Sequence, residues 1–363
     1  MPRSTINVDA RDWEVAEGFN LYIDISSACN ASCPFCIAPT VGRKDGPDFF
    51  KGLDFALDLT KSIDGTVQVV GGEPMISKRL PRVLYEIGER RFRRSVLNTN
   101  GSFITDGKIS MINSAGIGKV NISRHHYDDA KNQQVMRLRP ELPNSEIASS
   151  VRRLIDSGND VRMQCNLIDG YIDSVEEMVN YINWTSHLGA RSVSFSQIFP
   201  LGLFDYQVPI EKGYTERVQI DLRKLVSDLD NSGMFSPIRA DKVLGGVSST
   251  WGGASSWGSA SSTWGSPGAW GSNAKRRFWY GPDKTYISLK TLSGYDNNGL
   301  PRTTSYDKSE DPELQDGILA FGVLHSDGRV TASWDRRERI LYDPNKESGI
   351  GNKKSLDSVL IPA

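Results

Sequence analysis

From residue 20 to about residue 200, short runs rich in β-branched and aromatic residues alternate with longer stretches of amphipathic period. That alternation is the pattern of repeated βα units around a parallel sheet. Six strands are expected, at Asn20 to Ser26, Thr66 to Val70, Arg94 to Thr99, Lys119 to Ser123, Asp160 to Leu167 and Arg191 to Gln197. The helical period fills the gaps at Leu53 to Ser62, Leu80 to Arg91, Asp106 to Ser114, Ser145 to Ser157 and Val175 to His187, with a sixth helix from about Lys212 to Leu229. Gly116, Gly158 and Gly189 stand where helix C-caps fall. Polar and glycine-rich motifs cluster just after the strands, the edge at which parallel α/β folds carry their active sites.

The pattern breaks between Gly245 and Asn273, a stretch made almost entirely of Gly, Ser, Ala, Thr and Trp. No helix or strand period fits it, and its composition is that of a flexible linker. Two other readings are an aromatic lid over the barrel mouth and a set of tryptophans that are themselves modified. A basic aromatic patch follows, Lys275 to Tyr280, either a strand edge or a surface for a phosphate and a base. Gly317 to Leu324 and Arg329 to Trp334 flank Asp327-Gly328, a hairpin turn signal. The chain thus divides into an N-terminal segment (1–17), a βα-repeat domain (18–235), a low-complexity segment (245–273) and a C-terminal capping region (274–363).

Charge changes the picture little: 43 Lys and Arg balance 44 Asp and Glu, so no global field draws the chain to nucleic acid or membrane. No stretch approaches the ~20 apolar residues of a membrane helix, and the N-terminus lacks the apolar core of a signal peptide, so a cytoplasmic protein is expected. Four cysteines, three of them packed between Cys29 and Cys36, do not look like a disulfide framework. Clustered thiols in a reducing compartment suggest a metal.

The decisive segment is Cys29-Asn30-Ala31-Ser32-Cys33-Pro34-Phe35-Cys36, a C-x3-C-x2-C loop directly after the first expected strand. Three cysteines leave one iron of an ordinary 4Fe-4S cluster without a protein ligand. The class-different alternative is a non-catalytic zinc-binding or nucleic-acid-binding protein in which Cys165 supplies a fourth thiolate. The loop, followed by Gly71-Gly72-Glu73-Pro74 after the second expected strand, resembles the radical S-adenosylmethionine (SAM) superfamily. The resemblance implies an α/β fold, a partial (β/α)6 TIM-like barrel of parallel strands, with a C-terminal extension that closes its open side. It also implies that Cys29, Cys33 and Cys36 ligate a 4Fe-4S cluster whose open iron binds SAM. Reductive cleavage would then give a 5′-deoxyadenosyl radical that takes hydrogen from an organic substrate, a peptide or a small metabolite.

Phe35 fills the aromatic position before the third cysteine, and Gly71, Gly72, Glu73 and Pro74 are implied to meet the methionine end of SAM. Asn98 and Asn100 after the third strand, and Ser123 and Arg124 after the fourth, match positions where relatives similar to MoaA contact SAM. Gln164 and Asn166 in the fifth strand share one face by alternation and are candidate ligand contacts, with Cys165 on the other as a small buried residue or a radical relay. His125 and His126 sit at the same rim as candidate proton carriers or metal ligands. No cysteine follows residue 165, so a single cluster is expected, without the auxiliary clusters of SPASM, Twitch or MoaA-like relatives. An electron donor of flavodoxin or ferredoxin type is the implied protein partner.

Overall fold

The computed structural model describes residues 5–8, 11–36, 45–198, 211, 213–238, 276–281, 284–291, 301, 317–332, 334 and 339–346. The low-complexity segment 245–273 lies outside these residues, and with it every reading of its tryptophans.

Strand β1 (Thr5–Val8) forms an antiparallel hairpin with β2 (Arg11–Asp24). From β2 the chain alternates through α1 (Phe49–Ser62), β3 (Thr66–Val70), α2 (Leu80–Arg90), β4 (Ser95–Thr99), α3 (Asp106–Ser114) and β5 (Lys119–Ser123). It continues through α4 (Asp129–Met136), α5 (Asn144–Asp156), β6 (Asp160–Leu167), α6 (Val175–His187) and β7 (Ser192–Gln197). Strands β2 to β7 lie side by side in chain order, all parallel. The fold is α/β, with the expected six βα-type strands.

The C-terminal region is more than a cap with a hairpin. After α7 (Tyr214–Arg217), α8 (Leu222–Asn231), β8 (Ser236–Pro237) and β9 (Arg276–Tyr280), strand β10 (Tyr286–Lys290) joins β7 in parallel. Strand β11 (Ile318–Leu324) joins the opposite edge, parallel to β2. The parallel run is therefore eight strands wide, β11-β2-β3-β4-β5-β6-β7-β10. Antiparallel strands flank it: β9 and β8 at one end, β12 (Val330–Thr331) and β13 (Ile340–Tyr342) at the other. The Asp327-Gly328 turn joins β11 to β12 as expected, with Gly328 at φ +97°. The basic aromatic patch is strand β9, paired with β10 on one side and β8 on the other: Trp279 is fully buried and donates to Asp230, which also pairs with Arg277 at 2.8 Å. That tryptophan is not available to stack on a base.

Alternation separates two faces. Val161, Met163, Cys165 and Leu167 of β6 join the apolar core beneath the helices, together with Ile23, Val69, Leu97, Val120, Val193 and Phe195. The inner face is polar along four consecutive parallel strands: Lys119, Asn121 and Ser123; Arg162, Gln164 and Asn166; Ser192, Ser194 and Ser196; Tyr286, Ser288 and Lys290. On the β2 and β11 side the same face is aromatic, with Tyr22, Phe321 and Trp334 packed together. A sheet face carrying so many hydroxyl and amide groups is built for a ligand rather than for a dry core. No helix among the described residues is long and apolar enough to cross a membrane.

The C-terminal turn is locked onto the chain that closes the cysteine loop. A Cβ on Gly52 would stand 2.0 Å from the Gly328 carbonyl oxygen, and one on Gly328 2.6 Å from that of Asp48. Arg79 stitches the junction, donating to the carbonyls of Ile25 (3.1 Å), Gly46 (2.7 Å) and Ser326 (2.9 Å) while its guanidinium lies over the Phe49 ring. Arg79→Ala leaves three part-buried carbonyls without their donor. It is expected to cost about 3 kcal/mol in urea unfolding.

Candidate functional site

Continuing β2, the backbone N–H of Ile25 bonds to the Val70 carbonyl, and the chain then swings out as the cysteine loop. Gly72 N–H donates to the Ser26 carbonyl (2.8 Å) and Glu73 N–H to that of Ala28 (2.8 Å), so the Gly-Gly-Glu-Pro turn runs backbone to backbone along the loop. A side chain is impossible at Gly72, where a Cβ would stand 2.0 Å from the Ala28 carbonyl oxygen, and Gly71 turns at φ +134°. Ser26 and Asp45 brace the start of the loop, Ser26 Oγ donating to the Asp45 carboxylate at 3.1 Å.

Glu73 is fully buried and accepts from Met75 N–H (2.9 Å), Thr99 Oγ1 (2.6 Å) and Asn100 N–H (2.6 Å). Burial pushes its pKa up to about 7 against these three donors. Its carboxylate ties the turn after β3 to the turn after β4. Pro74, also buried, opens the short 3-10 turn that follows. Asn100 passes the link on: its Nδ2 donates to Asn30 Oδ1 (2.8 Å) within the cysteine loop, and Asn30 donates to Ser102. On the far side Ser32 N–H and the Cys33 thiol both donate to the Met136 carbonyl at the end of α4.

Cys29 is exposed and Cys33 and Cys36 are half-buried. Burial raises the Cys29 and Cys33 thiols above the ordinary value, and each also feels the charge of Cys36, so the sulfurs share one electrostatic neighbourhood. A cluster would displace the protons. Cys165 is 1 % exposed, and its thiol faces the carbonyls of His125 (3.6 Å) and Asn166 (3.4 Å) within the sheet. Among the described residues no group of three or more His, Cys, Asp or Glu side chains is placed to hold a single metal ion. Three soft thiols on one braced loop with a glycine cradle beside it are a donor set of the kind that fits a 4Fe-4S cluster with one open iron.

Phe35 packs edge-on to the His125 ring, with centroids 4.9 Å apart. His125 Nδ1 accepts from Asn166 N–H at 3.0 Å, which fixes the Nε2–H tautomer. Burial drives its pKa from 6.5 down to about 3, with Arg124 adding to the shift. The folded state thus refuses a proton that the unfolded chain accepts below 6.5, so stability falls as pH drops through that window. From this residue a loss of about 2 kcal/mol is expected between about pH 7 and pH 5. His125→Asn is expected to flatten that slope in urea unfolding.

Ser123, Gln164, Asn98 and Asn166 line the inner face, Ser123 in register with Gln164. Asn98 donates to the Val69 carbonyl and accepts from Asn121 Nδ2 at 2.9 Å. Arg124, one residue on, alternates to the other side. Its guanidinium is fully buried and donates to the Leu142 carbonyl (2.9 Å), Asp129 (3.1 Å) and Asn144 (3.0 Å), which binds the α4–α5 connection rather than the cysteine loop. His126 also turns to the helix side, its Nδ1 accepting from Asp128 N–H and its Nε2 3.8 Å from Glu177. Sequence reasoning passed over Asn30, Arg162 and the β7 serines. The same period of two that singled out Gln164 and Asn166 would have found Arg162 and the serines.

Residues 23–185 match the family model of the radical SAM superfamily. Over 191 residues the chain is 24 % identical to the probable GTP 3′,8-cyclase of Sulfolobus acidocaldarius, covering 51 % of this chain and 57 % of that protein. It is 21 % identical over 227 residues to molybdenum cofactor biosynthesis protein 1 of Dictyostelium discoideum, covering 59 % of this chain and 35 % of that one. The chain thus spans little more than half the length of the first relative and about a third of the second. Among solved structures, Streptococcus suis SuiB bound to precursor peptide SuiA aligns with a TM-score of 0.45 and 18 % identity over 58 % of this chain and 46 % of that one. The family match falls on the cysteine loop, the glycine cradle and the strands that carry them: residues 23–185 form a radical SAM domain, an enzyme domain whose cofactors are a 4Fe-4S cluster and S-adenosylmethionine.

Proposed function

We propose that Cys29, Cys33 and Cys36 hold one cluster at the sheet edge and that SAM lies between it and the inner face, against a polar organic substrate. When bound, the cluster and SAM supply a reductively formed 5′-deoxyadenosyl radical that removes a hydrogen atom from a C–H bond. One observation carries the reading. Three thiols stand on a loop braced by Gly72, Asn30 and Met136, while Cys165, the remaining thiol of the chain, is buried in the sheet.

In this reading Gly71 and Gly72 let the cysteine loop lie backbone to backbone on the turn that meets the methionine end of SAM, and Phe35 and His125 form a wall beside it. Glu73 acts through Thr99 and Asn100, holding two turns at a fixed distance. Ser123, Gln164 and Asn166 offer hydroxyl and amide groups to SAM or substrate on the inner face. The aromatic Tyr22, Phe321 and Trp334 close the other side and help to keep water from the radical. A small reduced protein of flavodoxin or ferredoxin type supplies the electron.

Anaerobic protein given SAM and dithionite is expected to release 5′-deoxyadenosine and methionine in equal amounts. A deuterated substrate should pass its label to the deoxyadenosine. Release of S-adenosylhomocysteine in their place, or unchanged SAM, would overturn the reading.

A further inference from the structure

The inner face carries a cation whose charge the protein leaves partly unanswered. Arg162, on β6, bonds through Nε to Ser192 Oγ on the neighbouring strand at 3.3 Å. Neither of its Nη groups donates to a protein atom among the described residues. Asp160, whose charge reaches it, is already held by Lys119 at 2.8 Å. Burial presses the Arg162 pKa below the usual arginine value, yet a guanidinium stays charged at any physiological pH. A half-buried cation in that position is relieved by an anion arriving from outside the fold.

A second polar atom beside it also lacks a partner. Asn121, in register with Arg162 on β5, is 5 % exposed; its Nδ2 donates to Asn98, and its Oδ1 is buried without a donor. A buried acceptor left unpaired costs free energy that a ligand N–H or O–H would recover. Gln164, one step up the same face from Arg162, has no side-chain hydrogen bond among the described residues. Donor, acceptor and amide therefore stand together on a face that carries Lys119, Arg162 and Lys290 against one carboxylate on β5, β6, β7 and β10, Asp160.

We propose that Arg162, Ser192 and Asn121 form a subsite that seats an oxyanion of the substrate, a carboxylate or a phosphoryl group. The two Nη groups provide paired donors, and Asn121 Oδ1 accepts an N–H or O–H next to the anion. The subsite rests on the reading above in that the inner face is where substrate lies, and it narrows the substrate to an anionic, hydrogen-bonding molecule.

Equilibrium dialysis of cluster-loaded protein against radiolabelled inorganic phosphate or radiolabelled succinate, with and without saturating SAM, tests it. One of the two anions is expected to bind at one per chain, to persist with SAM, and to weaken about tenfold or more in Arg162→Met. Arg162→Lys, which keeps the charge and loses the fork, is expected to fall between. No binding of either anion, equal binding by a natively folded Arg162→Met, or displacement by SAM would overturn the subsite. The unaltered protein is assayed in parallel for deoxyadenosine. If it makes none yet binds the anion, the radical reading fails and the subsite stands; turnover without anion binding is the reverse.

Discussion

Gly72→Ala is expected to strip the protein of iron without altering a thiol. The new methyl carbon would stand 2.0 Å from the Ala28 carbonyl oxygen and 2.6 Å from its carbonyl carbon. Both are backbone atoms next to Cys29, so no side-chain rotation relieves the clash. The loop must move away, breaking the bonds from Gly72 N–H to Ser26 and from Glu73 N–H to Ala28. Iron after anaerobic reconstitution should fall from about four to less than one per chain. SAM cleavage should fall about 100-fold or more, the upper range for losing the supports of a metal ligand. Gly118→Ala, where a Cβ meets nothing within 4 Å, is the control and should keep its iron. A Gly72→Ala protein with full iron and full turnover would show that the cradle is not what holds the loop.

The second large effect separates the thiols by place rather than by chemistry. Cys33→Ala leaves two thiolates on the loop, and iron is expected to drop below about one per chain with loss of SAM cleavage; Cys29→Ala and Cys36→Ala should behave alike. Cys165→Ala removes a thiol sealed in the sheet core at 1 % exposure. It should keep about four irons and lose about 1 kcal/mol of stability through the small cavity left. Iron analysis of the four variants beside urea unfolding checks both halves. Loss of iron in Cys165→Ala would revive a four-thiol metal site.

The βα repeat was legible because its helices are amphipathic and its strands short and β-branched. Thr66–Val70, Lys119–Ser123 and Asp160–Leu167 occur where the pattern predicts them. The first half of β2 was not. Arg11, Asp12 and Glu14 disguise it, and Gly18 at φ +80° with a shifted register against β11 breaks the alternation. Helix α4 was missed because Asp-Ala-Lys-Asn-Gln-Gln-Val-Met has almost no apolar period; its Asp128 cap and the left-handed Arg137 define it instead. The expected helix from Lys212 to Leu229 is two, because Asp221 caps a fresh start by accepting from Lys224 N–H. The long-range placement of β10 and β11 on opposite edges cannot be read from local pattern, since nothing within Tyr286–Lys290 or Ile318–Leu324 specifies the distant strand that each pairs with.

For the site, the C-x3-C-x2-C spacing marked the three thiols, and the resemblance it carries marked the Gly-Gly-Glu-Pro turn after the next strand. The partners of each polar side chain depended on which face its strand presents. Ser123 and Arg124 are adjacent in sequence and part to opposite sides of the sheet, one to the inner face and one into bonds with Asp129 and Asn144. Glu73 reads as a ligand contact in the motif and is, in the fold, a fastener between two turns.

The central claim is that three thiols leave one iron open for SAM. Mössbauer spectroscopy of protein reconstituted with iron-57 tests it most directly. The account expects about four irons per chain in a single cluster. On addition of SAM one iron should change its isomer shift and quadrupole splitting while the other three hold theirs. Protein that takes up zinc and no iron, or a cluster whose four irons all ignore SAM, would contradict it.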